Sequence, residues 1–66
     1  MDQIEKLIYV NSAARMLACT PKHIYEMIKA EEIKGVRVGV RGVRVIKQSV
    51  IDFIEKNTIN PDDYYA

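Results

Sequence analysis

The stretch VNSAARMLACTPKHIYEMIKA, Val10 to Ala30, decides the fold. Its second half holds the clearest start signal in the chain. Thr20 offers a side-chain oxygen to a free backbone N–H, and Pro21 takes the first helical position, where a missing N–H costs nothing. On a helical wheel Pro21, Ile24, Met27 and Ile28 then gather on one side. Lys22, Glu26 and Lys29 point the other way, and His23, Tyr25 and Ala30 flank them. Upstream, Val10 to Leu17 is rich in helix formers, and Ala13, Met16 and Leu17 share a face. Asn11 or Ser12 is expected to cap this first helix. It is too short to stand without packing.

Working outward, Ala18-Cys19-Thr20 leaves only a tight connection between the two helices, the pattern of a helix-turn-helix. Ala14 is small enough to let the second helix approach, Ala18 suits a compact turn, and Ile24 is placed to plug the space between the helices. Downstream, Val36-Arg37-Val38 and Val43-Arg44-Val45 alternate apolar and basic, the period of a half-buried strand. Gly39-Val40-Arg41-Gly42 joins them, with a glycine at each end for positive φ. In this reading Val36, Val38, Val43 and Val45 face the core together. Arg37 and Arg44 then share the other face, and Arg41 stands near the tip. Leu7 to Tyr9 could add a third strand. A last helix is expected over Gln48 to Lys56, with Val50, Phe53 and Ile54 as its stripe and Ile46 before it. Ser49-x-x-Asp52 resembles a capping box, with Lys47 as the alternative start. Asn57 to Ala66 ends that helix in a tail expected to be mobile.

At 66 residues the chain holds one domain. Cys19 is the single cysteine, so no internal disulfide forms, and Cys19 with His23 falls short of the four ligands of a zinc site. No cofactor is expected. No apolar run reaches a membrane span of about 20 residues. The opening MDQIEKLIYV lacks an apolar signal core, and a lone free thiol fits a reducing cytoplasm. No catalytic motif or phosphate-binding glycine loop is present, so neither an enzyme nor a small-molecule substrate is expected. The net charge of +1 argues against a nucleic-acid partner until it is divided along the chain. Residues 1–19 are neutral, residues 20–47 carry seven basic side chains against three acidic, and residues 48–66 carry four acidic against one basic. The excess therefore sits on the second helix and the hairpin, the footprint of a phosphate backbone.

Ala14, Ala18, Ile24-Tyr25, Ile28, Val36-Arg37-Val38-Gly39, Arg41, Arg44-Val45 and Val50-Phe53-Ile54 together resemble the excisionase family of small winged-helix proteins. That family is itself similar to the DNA-binding head of MerR-type regulators. The resemblance spans Ile8 to Glu55. It implies an α+β fold, a small winged helix-turn-helix of about three helices with a β-hairpin wing. Residues 1–58 would form that domain and residues 59–66 a flexible tail. It implies sequence-specific binding to double-stranded DNA, with the second helix in the major groove and the wing on the backbone or the adjacent minor groove. It further implies a recombination directionality factor that bends an attachment site and acts with an integrase. The small contact area of a 66-residue module separately suggests further copies of itself on DNA, or an integrase, as partners.

The chain departs from the family pattern at several points. Glu31 stands where many relatives have glycine, so the helix end is expected to differ. Lys34 stands where proline is common, and Val40 and Gly42 flank Arg41 at the wing tip. Tyr9 occupies the place of a small polar cap. The sequence ends before the long dimerising coiled coil of MerR-type regulators, so effector sensing by that route is not expected. A small transcriptional regulator and a protein-interaction adaptor remain as alternatives on the same scaffold.

The candidate DNA-binding residues are Lys22, His23, Tyr25, Glu26 and Lys29 on the second helix and Arg37, Arg41 and Arg44 on the hairpin. Lys22 lies nearest the helix start, which reaches deepest into a groove. Glu26 either accepts from a cytosine amino group or repels phosphate. Tyr25 packs in part and offers its hydroxyl to a phosphate. The arginines neutralise phosphates. Met16 and Met27 are read as gap-filling core residues.

Overall fold

Thr20 does what its place predicts. In the computed structural model, which describes residues 6–61, its Oγ1 accepts from the His23 N–H at 3.2 Å. With Pro21 in the first turn, this starts α2 (Pro21–Lys29) behind α1 (Val10–Leu17). Around the helix pair run β1 (Leu7–Tyr9), β2 (Gly35–Val38), β3 (Gly42–Ile46) and α3 (Lys47–Lys56). The strands form one antiparallel sheet in the order β1-β3-β2, so the third strand is present and β3 is central. The architecture is a small α+β winged helix-turn-helix.

Both leading helices close on a left-handed residue that is not glycine. Ala18 has φ 55° and Glu31 has φ 62°. At each end two backbone bonds fold the chain back. Cys19 N–H donates to Ala14 O at 2.9 Å, and Ala18 N–H to Arg15 O at 3.2 Å. Glu32 N–H donates to Met27 O at 2.9 Å, and Glu31 N–H to Ile28 O at 3.0 Å. This is the closure usually made by glycine. Glu31 therefore does not change the helix end. The two bonds and the burial of Ile33 just beyond offset a left-handed cost of about 1–2 kcal/mol.

The core is Val10, Ala13 and Ala14 of α1, Ile24 and Met27 of α2, Ile33, Val45 and Val50. Ile24 is fully buried, the plug its position foretold. Other expectations are corrected. Met16 is exposed, because Val10, Ala13 and Ala14 form the inward face of α1. Ile54 is exposed, and the inward side of α3 is Ser49 and Val50 with Phe53. Neither Asn11 nor Ser12 caps α1. The cap position falls on Tyr9, with no side-chain bond, because β1 runs straight into the helix.

The hairpin keeps its strands but not its phase. Val38 pairs with Gly42, Arg37 with Val43 and Val36 with Arg44. The loop is thus the three residues Gly39 to Arg41, not four, and one residue of slip exchanges the faces of a strand. Val43 and Val45 face the helices, whereas Val36 and Val38 lie on the opposite face with Arg44. Arg37 shares the inward side with Val43, so Arg37 and Arg44 do not point together. Gly39 takes φ 75°, as expected, but Gly42 does not have positive φ. Gly42 is required for another reason: the Val38 carbonyl oxygen occupies the space where a Cβ would stand.

Helix α3 starts at Lys47, and Ser49 is no cap. It is buried, donates to Ile46 O at 2.6 Å and accepts the Lys34 N–H at 3.0 Å. Asp52 accepts from Gln48 Nε2 at 2.9 Å instead of closing a capping box. At the far end Asn57 Nδ2 and Thr58 Oγ1 donate to Phe53 O and Ile54 O. The tail reading beyond Pro61 lies outside the described residues.

Two stability predictions follow from these bonds. Glu31→Gly relieves the left-handed strain and should stabilise the domain by about 1 kcal/mol, a rise in melting temperature of roughly 4–8 °C. An unchanged or lower midpoint in thermal unfolding would contradict it. Ser49→Ala strands the Lys34 N–H and should destabilise by about 1–3 kcal/mol, measured by urea denaturation.

Candidate nucleic-acid interface

The wheel of α2 sets one side of the interface. Burying Ile24 and Met27 turns Lys22, His23, Tyr25, Glu26 and Lys29 to solvent, and all five are exposed. His23 Nδ1 stands 3.6 Å from Glu26 Oε1 one turn along the helix. The row is therefore two lysines with a His–Glu pair between them.

The wing supplies the other side. Arg41 is exposed in the loop, beside Val40 at the tip. Arg37 is exposed and its Nη1 reaches the Val40 carbonyl at 3.5 Å, bracing the turn from below. Arg44 is half-buried and already engaged. Its Cζ lies 4.3 Å from the centroid of the Tyr9 ring, and its Nη1 donates to Val43 O at 3.1 Å. The stack is a direct result of register, since Tyr9 and Arg44 are cross-strand partners.

A shallow groove joins the two sides. The start of α1 (Tyr9, Val10, Asn11), Tyr25 of α2, and Arg41 to Arg44 of the wing enclose about 230 Å³. Of the candidate residues it brings together Tyr25, Arg41 and Arg44. Lys22, His23, Glu26 and Lys29 lie outside it on the α2 face, and Arg37 is not part of its lining. Tyr9 and Asn11 were not among the candidates, although both line the groove. A tyrosine directly before a helix, where a small polar cap is expected, was the available signal. No acidic residue occupies the first turn of α1 and no side chain caps it, so the positive end of its dipole is not offset there. Glu31, Glu32 and Asp52 line a different groove, between the α2–β2 connection and α3.

The arrangement can do two things. The α2 row can meet base edges, which need donors and acceptors on a narrow helix face. The groove can hold a phosphate between arginine, tyrosine hydroxyl and backbone N–H groups. Among the described residues no cluster of three or more His, Cys, Asp or Glu could hold a metal ion, and no helix is long and apolar enough to cross a membrane.

A family model described as "Helix-turn-helix domain" matches residues 10–58, from the first residue of α1 to just beyond α3. No curated protein and no solved structure matches the chain.

The Tyr9–Arg44 stack gives a local prediction. Tyr9→Ala should destabilise by about 0.5–1 kcal/mol while Tyr9→Phe stays near the parent, read from paired urea melts. Equal losses in both variants would show that the hydroxyl, not the ring face, matters.

Proposed function

The chain belongs to the helix-turn-helix domain family and binds DNA through that unit, and on this premise we propose that it acts as an excisionase-type recombination factor. The family includes excisionase-like proteins, and the residue pattern from Ile8 to Glu55 resembles them. In this reading α2 enters the major groove and reads sequence. The wing lies on the flanking backbone, with Arg41 foremost. The protein is not catalytic. It works in the cytoplasm by shaping an attachment site for an integrase, alone or with further copies alongside. A module of this size covers roughly 600–1,000 Å² on DNA, so a second protein on the same duplex is a natural source of added affinity.

One observation carries the reading: the exposed row of α2 and the outward Arg41 lie on elements whose inward faces are already spent on the core. Their basic side chains have no structural task, and phosphate neutralisation is the task such side chains perform.

A mobility-shift titration over salt tests it. The log–log slope should be about −0.9 per phosphate contacted, and Arg41→Ala should make it shallower by about one unit on every sequence. Lys22→Ala should alter base preference as well as affinity. Failure to bind any duplex at low salt sinks the proposal. The excisionase role is read separately: added protein should raise excision by a partner integrase on its attachment-site DNA, and no change in yield would leave a DNA-binding regulator instead.

A further inference from the structure

Glu26 is the anomaly on the α2 face. Lys22 precedes it by four residues and Lys29 follows by three, so it is one carboxylate within a basic row. Neither lysine holds it. It lies instead beside His23, whose Nδ1 stands 3.6 Å from Oε1. The side chain keeps 61% of its exposure, so burial does not explain it, and no core contact or cap depends on it. Near a phosphate backbone a free carboxylate costs affinity for every sequence alike. Such a group is useful only where it meets a hydrogen-bond donor.

Resting on the reading of α2 as the major-groove helix, we infer that Glu26 is a specificity-determining residue that selects a cytosine. The chemistry narrows to one base. An ionised carboxylate is acceptor-only. In the major groove guanine presents two acceptors, N7 and O6, and thymine presents the O4 acceptor and a methyl group. All of these repel it or leave it unpaired. Adenine offers the N6 amino group, but beside the N7 acceptor. Cytosine offers the N4 amino group without an adjacent acceptor on the same base. His23 acts as a positioning residue. Set 3.6 Å from Oε1, it limits the rotamers open to the Glu26 side chain and leaves Oε2 to accept. Lys22 and Lys29 supply the flanking positive field that offsets the acid's repulsion from phosphate.

The test is base preference, not affinity alone. A randomised duplex pool is selected with the full chain and with Glu26→Ala, Glu26→Gln and His23→Ala. The parent should show a C·G pair at one position. Glu26→Ala should flatten that position, with discrimination falling about 10-fold. Glu26→Gln should move it toward A·T, since a glutamine amide pairs with adenine N6 and N7. His23→Ala should weaken the C·G preference without replacing it. On the selected duplex, a cytosine analogue lacking the 4-amino group should weaken the parent about 10-fold and leave Glu26→Ala unaffected. If the parent and Glu26→Ala select the same sequences and differ only by uniformly tighter binding in the variant, the cytosine assignment is overturned while DNA binding stands. If the parent binds no duplex at low salt, both fall together.

Discussion

Strand β3 is the constraint on which the rest of the molecule depends. Five residues long, it is the only strand among the described residues with two neighbours, and its Val45 is fully buried under the helices. It continues into α3 without a loop, so the sheet and the last helix share one rigid junction. That junction is tied from three directions. Ile46 N–H donates to Lys34 O, Lys47 N–H donates to Lys6 O, and Ser49 bridges Ile46 O to the Lys34 N–H. The segment after α2, the segment before β1 and the start of α3 are thereby referenced to the same few residues. A domain of this size, with a small apolar core, gains much from concentrating its backbone bonds in this way.

The core explains the surface. Helix α2 spends Ile24 and Met27 inward, and the hairpin spends Val43 and Val45. What remains outward on both is rich in Lys and Arg, with Glu26 the one acid, while Glu31, Glu32 and Asp52 gather with Lys34 and Lys56 at a separate groove by α3. A net charge of +1 is the sum of unlike segments, with the basic excess in residues 20–47 and the acidic excess in residues 48–66. The groove beside Tyr25 and the wing is assembled from three elements, the start of α1, α2 and the wing, and the central strand pairs with both β1 and β2.

Much of this was legible in the residues, and the losses have physical causes. The helix-turn-helix was readable because Thr20-Pro21 and the apolar period act locally, within one or two turns. The α2 face was readable for the same reason, and Lys22, His23, Tyr25, Glu26 and Lys29 all emerge outward. The wing was half readable. Alternation located both strands, but which side Arg37 and Arg44 take depends on the parity of the loop, and Gly42 could serve either the turn or the ladder. Ser49 was misread because its partners, Ile46 O and the Lys34 N–H, are brought to it by tertiary structure. Glu31 was misread because propensity disfavours what two well-placed backbone bonds make tolerable.

Tyr9 ends β1, occupies the cap position of α1 and carries Arg44 of the wing on its ring. One residue thus belongs to the strand, to the helix pair and to the wing. A displacement of the wing away from the helices has to break a strand pairing and a stacked cation together. The separation between the α2 face and the wing is thereby set by β1 and β3 together, as the span of a caliper is set by its joint.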